Sequence, residues 1–245
     1  FFSLAVVPAR GPLMVQAKPQ GTDCGGMQTA KVVPNGGLQP QPHVLCCGDS
    51  LTAGYYGSEE DYCPYGTTLS QKLQAPVDEI GMSGWMSNQM VEHMENEQCV
   101  DVFDKEAPGL KVQLEKEQYT VCIIMAGTND LAHGRTPEMI LEDVKILHAT
   151  CHERGLRTVA LPIPGSRYGK SIRRQFNTML EQWVATIPDK VLFVDMASEV
   201  PYSDESGHWC SDGLHMSEDG YRIFGDKLSG HVKEFIISED PAIID

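Results

Sequence analysis

The chain has 245 residues, 41% hydrophobic and 22% charged, which fits one globular domain of ordinary α/β size with a full hydrophobic core. Its 34 acidic residues against 19 basic ones leave a formal charge of −15. That surplus, with no cluster of Lys and Arg, argues against nucleic acid and anionic membranes as partners. No apolar stretch approaches the length of a bilayer-crossing helix, so no integral membrane segment is expected.

Residues 1–42 are rich in Pro, Gly and Gln without sustained periodicity, and read as an irregular N-terminal extension. The apolar start Phe1–Val7 and the small residues around Val15-Gln16-Ala17 leave two readings open for residues 1–17. They are the remnant of a targeting peptide, for an exported or organellar protein, or an ordinary N-terminus of a cytoplasmic one. Strand-like and helical runs then alternate. Val44–Cys47 is a short buried strand, Thr67–Leu73 a helix, and Val77–Ile80 a second strand. Helices near Ser87–Glu97 and Leu110–Glu117 follow. Tyr119–Ala126 is the clearest central strand, apolar on both faces. Thr136-Pro137-Glu138 starts a helix that should run to Arg154, where Gly155 stops it. Thr158–Leu161 and Val191–Val194 are two more strands, separated by a helix near Ser171–Ile187. Ser217 caps a last helix through Ile236. About five strands interleaved with helices predict one domain over residues 43–237, a mostly parallel sheet covered on both faces, and a tail over 238–245. In such sheets ligands bind at the carboxyl ends of the strands.

Four short blocks fall on those ends or on a late loop: Gly48-Asp49-Ser50-Leu51, Gly81-Met82-Ser83-Gly84, Gly127-Thr128-Asn129-Asp130 and Asp212-Gly213-Leu214-His215. A serine hydroxyl is a poor nucleophile at neutral pH and needs a base within hydrogen-bond reach. Ser50 is the candidate nucleophile, although a loop serine also commonly caps a helix. His215 is the candidate base, since unperturbed imidazole titrates near neutrality. Asp212, three residues earlier, can turn back to orient it. Gly84 and Asn129, with the backbone N–H of Ser50, are candidate donors to an oxyanion; each block alone is equally an ordinary turn.

Taken together and in this order, the blocks resemble the SGNH/GDSL hydrolase superfamily, in which Ser50, Gly84, Asn129 and His215 would be the characteristic quartet and Asp212 the third member of the triad. The resemblance spans residues 43–236. It implies a flavodoxin-like three-layer α/β/α fold and a GDSL-type esterase or lipase acting on a small-molecule ester, with no metal or organic cofactor. Short acyl and O-acetyl esters lead the substrate classes. Acyl transfer to another alcohol, thioester hydrolysis and a non-catalytic ligand-binding module are the alternatives. Trp85 stands where smaller polar residues are common, which makes Trp85 and Met86 candidates for substrate contact. The G-x-S-x-G elbow of α/β-hydrolases is absent.

Weaker signals remain. Met82, Met86, Met90 and Met94 recur every four residues, either as a helix face packed on the sheet or as the lining of an acyl pocket. Tyr55 and Tyr56 either flank the substrate or pack. His148 and His152 have the i, i+4 spacing of metal ligands, but no third partner is evident, so no metal is expected. Glu59-Glu60-Asp61 reads as a solvated acidic loop. Of the eight cysteines, Cys46 and Cys122 fall within strand patterns. Cys24, Cys63 and Cys210 lie in loops and could pair if the protein is exported.

Overall fold

The apolar runs at the centre of the sheet become strands because they can be buried on both of its faces. The computed structural model describes residues 41–57 and 61–238. In chain order it contains β1 (Val44–Gly48), α1 (Ser50–Ala53), β2 (Tyr55–Tyr56), β3 (Asp61–Tyr62), α2 (Tyr65–Leu73) and β4 (Val77–Gly81). Next come α3 (Ser87–Glu92), β5 (Cys99–Val100), β6 (Glu106–Ala107), α4 (Leu110–Lys116) and β7 (Val121–Met125). The rest is α5 (Thr128–Ala132), α6 (Pro137–His152), β8 (Arg157–Ala160), α7 (Lys170–Val184), β9 (Val191–Phe193), α8 (Met196–Glu199) and α9 (Glu218–Ile237).

The main sheet runs β4-β1-β7-β8-β9, with every neighbouring pair parallel. Counting only these strands, the order is 2-1-3-4-5, the flavodoxin-like arrangement that the resemblance implied. Alternation along β1 and β7 divides the core between two faces. Leu45, Cys47, Cys122 and Ile124 pack with Met90, Leu110, Ile140 and Phe176 from α3, α4, α6 and α7. Val44, Cys46, Ile123 and Met125 pack with Leu69, Tyr221, Phe224 and Leu228 from α2 and α9. Cys46 and Cys122 are therefore buried core residues.

Helix boundaries follow local chemistry. Thr136 Oγ1 accepts from the Met139 amide and Pro137 opens α6, while Ser217 Oγ accepts from the Gly220 amide to open α9. The helix expected over Ser87–Glu97 stops at Glu92. Beyond it the carbonyls of Met94 and Asn96 accept from the amides of Lys111 and Gly109, so the chain is drawn into the entrance of α4. Two hairpins, β2–β3 and β5–β6, were not anticipated.

His148 Nδ1 and His152 Nε2 both meet Thr158 Oγ1, at 2.7 and 3.0 Å, so their i, i+4 spacing anchors α6 to β8. Among the described residues no group of three or more His, Cys, Asp or Glu is disposed to hold a metal, no helix is long and apolar enough to cross a membrane, and Cys63 and Cys210 are free thiols. Cys24, Glu59, Glu60 and the N-terminal extension, apart from its last two residues, lie outside the described residues, as does the tail after residue 238.

Candidate active site

The sheet order reverses at β1, which places a crevice at the carboxyl ends of β1 and β7. Gly48 closes β1, paired with Gly81 of β4 on one side and Met125 of β7 on the other. A β-carbon at Gly48 would collide with the Met125 carbonyl and the Thr52 hydroxyl, so only glycine lets the chain turn there. Asp49 is wholly buried and caps α1, with Oδ1 accepting from the Leu51 amide at 2.9 Å. Loss of water around this carboxyl pushes it up to about 6, against the pull of the Leu51 amide. Ser50 follows as the first residue of α1 and is 5% exposed.

Ser50 Oγ lies 2.9 Å from His215 Nε2, and His215 Nδ1 lies 2.7 Å from Asp212 Oδ2. The other carboxylate oxygen accepts from the amides of Leu214 and His215, at 2.8 and 3.0 Å. Partial burial opposes ionisation of Asp212, but the His215 ring and those two amides outweigh it and hold the carboxyl below its usual range. An ionised carboxylate only accepts, so Nδ1 carries the proton and Nε2 is left to accept from the serine hydroxyl.

The loop bearing Asp212 is braced from the segment after β8. The Arg167 amide donates to the Gly213 carbonyl at 2.8 Å, and its guanidinium contacts the Ser211 carbonyl and Asp204. Tyr168 hydroxyl donates to the Asp212 carbonyl at 3.1 Å. On the opposite flank the Tyr55 ring meets the His215 ring edge-on, with centroids 4.8 Å apart.

Gly84 sits in the turn after β4 at φ +77°, a conformation that favours glycine. Asn129 lies in α5, directly after β7, and its Nδ2 donates to the Trp85 carbonyl at 2.9 Å. That bond uses one of the two amide hydrogens and leaves a second. Neither the Ser50 nor the Gly84 backbone N–H donates to another described residue.

Beneath them is a network with no clear sequence signal. Asp130 is fully buried, accepts from the Ser87 amide at 2.9 Å, and pairs with Arg135 Nε at 2.8 Å. Ser87 Oγ lies 2.7 Å from Asp130 Oδ1 and 2.9 Å from Asp143 Oδ2, and Arg135 also pairs with Asp143. This network ties α3, α5 and α6 together under Asn129. Only the position of Asp130, beside Asn129, could have hinted at it.

The remaining candidates divide. Trp85 is 9% exposed, packs in the core and donates Nε1 to the Val100 carbonyl at 3.3 Å. With Met82, Met90, Gly48 and Cys47 it lines a small apolar cavity beside the end of β1. Met90 and Met94 belong to the same core, whereas Met86 is half-buried and precedes α3, where its amide donates to Gln89 Oε1 at 2.9 Å.

A sequence model of the GDSL-like lipase/acylhydrolase family matches residues 46–223. No curated protein matches the sequence significantly. Among solved structures, the lipase/acylhydrolase from Enterococcus faecalis is 20% identical with a TM-score of 0.59, over 79% of this chain and 96% of that one. A carbohydrate esterase of family 3 from Talaromyces cellulolyticus is 14% identical with a TM-score of 0.63, over 80% and 99%. An acetyl esterase variant crystallised with acetate ion is 14% identical with a TM-score of 0.63, over 81% and 100%. At these identities the structures speak for the shared fold. The family match covers most of the chain, which belongs to the GDSL-like lipase/acylhydrolase family of ester hydrolases.

Proposed function

We propose that the chain hydrolyses carboxylic esters through Ser50, His215 and Asp212. The observation that carries this reading is the continuous path from Ser50 Oγ to His215 Nε2 at 2.9 Å and from Nδ1 to Asp212 at 2.7 Å. In it, Ser50 Oγ attacks the acyl carbon as its proton passes to Nε2, and Asp212 stabilises the imidazolium that forms. The N–H groups of Ser50 and Gly84 and the spare amide hydrogen of Asn129 receive the developing oxyanion. The ester C–O bond then breaks and the alcohol departs with the proton from Nε2. Water repeats the sequence on the acyl-enzyme and releases the acid.

Short acyl or O-acetyl groups are the proposed substrate class, in keeping with the acetyl and carbohydrate esterases that share the fold. Hydrolysis of p-nitrophenyl acetate, butyrate and octanoate by wild type and Ser50→Ala tests the reading. Turnover by wild type, highest on acetate, and none by a folded Ser50→Ala is the expected result. Activity that survives in Ser50→Ala would remove the serine from the mechanism. Adding a competing alcohol and analysing products separates hydrolysis from acyl transfer.

A further inference from the structure

The hairpin β5–β6 carries its tip, residues 101–105, to the rim of this site. The tip is held by one carboxylate: Asp101, 6% exposed, accepts from the amides of Ser83, Phe103 and Lys105 at 3.0, 2.8 and 2.9 Å. Charge-assisted bonds from three amides to a single side chain make this a stiff turn. It is joined to the segment of Gly84 by a further bond from the Val102 amide to the Ser83 carbonyl at 3.3 Å.

The tip presents two apolar side chains in succession. Val102 lies over Gly84, where a β-carbon would stand 2.6 Å from its Cγ1, yet Val102 itself is 65% exposed. Phe103 stacks on Tyr55, with centroids 4.9 Å apart and planes 6° from parallel, and Tyr55 in turn meets the His215 ring. The tip therefore spans from the glycine at one end of the reacting centre to the flank of the histidine at the other. An exposed valine held in a rigid turn, next to a half-buried aromatic stack, contributes little to the core. It offers an ordered apolar rim.

Which half of the ester meets this rim follows from the proton path, and so rests on the mechanism proposed above. His215 must hand its proton to the leaving oxygen, so the alcohol half of the substrate lies on the His215 side. We propose that Phe103, stacked on Tyr55, is a specificity-determining residue that receives the alcohol half of the ester, and that the preferred alcohols carry a flat apolar or aromatic group.

The test pairs two acetate esters, whose alcohols have similar leaving ability so that recognition dominates the comparison, with an octanoate that varies only the acyl half. kcat/KM is measured by acid release for benzyl acetate, ethyl acetate and ethyl octanoate with wild type, Phe103→Ala, Phe103→Leu and Ser50→Ala. The benzyl-to-ethyl ratio should exceed one in wild type and fall about fivefold in Phe103→Ala, the size of a lost aromatic contact. Phe103→Leu keeps apolar bulk but removes the ring, and should also lower the ratio. It guards against an Ala variant that folds poorly. An unchanged benzyl-to-ethyl ratio in either folded, active variant overturns the proposal. A fall in the octanoate-to-acetate ratio instead also overturns it, because Phe103 would then face the acyl half. Ser50→Ala is expected to be inert on all three esters. If it is active, the serine mechanism fails; if it is inert while the ratios stay fixed, only the Phe103 assignment fails.

Discussion

Ser50 and His215 reach the same point by opposite means. The turn after β1 is a core feature: Asp49 is wholly buried, Ser50 is 5% exposed, and Gly48 has sheet neighbours on both sides. The loop that brings His215 is a surface feature: the side chain of Asp212 is 42% exposed and that of His215 13%. Its order comes from hydrogen bonds within three residues and from Arg167 and Tyr168 of the neighbouring segment. The proposed nucleophile is thus positioned by packing, which is tied to global stability. The proposed base is positioned by local bonds, which can be cut without unfolding the protein.

That contrast can be broken at either end. The largest effect should come from Asp212→Asn, which unsettles the imidazole tautomer. In chymotrypsin-type triads the same change costs about 10⁴ in kcat. A comparable loss is expected here, with a thermal midpoint close to wild type, measured by steady-state kinetics alongside thermal unfolding. A large drop in the midpoint would show that the loop is part of the cooperative core after all.

On the buried side the order of effects reverses. Gly48→Ala forces a methyl against the Met125 carbonyl and Thr52, and should destabilise the protein by about 3 kcal/mol in urea unfolding. A variant as stable as wild type would mean that the turn can shift and is not locked by the sheet.

Removing the external brace should give an intermediate result. Arg167→Ala loses an exposed ion pair with Asp204 and the contact with the Ser211 carbonyl. Stability should change by less than about 1 kcal/mol. Misplacement of the base should still lower kcat about tenfold. Equal kcat in the two proteins would show that Asp212 and its own amides suffice to hold the loop.

The last effect is absent at neutral pH and concerns acid stability. Burial pulls His148 down to about 3, with the neighbouring His152 adding to the shift. The unfolded chain takes up this proton near the ordinary value of 6.5 while the native state refuses it. The contribution of His148 is therefore complete above that value. It is lost as pH falls towards 3, by at most ~1.4 kcal/mol per pH unit. His148→Gln should flatten the fall in unfolding free energy between about pH 6 and about pH 4. A slope identical to wild type would show that His148 does not set the acid limb.

The central strands β1 and β7 were legible because each is an apolar run buried along its whole length, and the start of α6 because Thr136-Pro137 carries its own chemistry. Ser50, Gly84 and Asn129 were legible as candidates just after strands, and Asp212 and His215 as candidates on a late loop, by residue type and order. The hairpin at residues 99–107 was not, since two-residue strands show no alternation. Nor was the placement of Tyr55: its sequence position close to Ser50 says nothing of a ring 166 residues away at Tyr221, whose hydroxyl donates to its carbonyl. The Asp130–Ser87–Arg135–Asp143 network was hidden for the same reason, because its members come from three separate helices and the loop between two of them.

By itself, then, the sequence determined the parallel sheet and the family, and it named the candidate residues for acyl chemistry. The sheet follows from periodicity and capping, which act within a few residues; the family and the candidate residues follow from the resemblance of four short blocks in order. Only the tertiary structure decided that Ser50 and His215 meet at 2.9 Å across 165 residues, that Trp85 turns into the core, and that Val102 and Phe103 arrive at the rim. Those juxtapositions depend on where the sheet order reverses and how loops pack over it, and no local pattern in the chain encodes that distance.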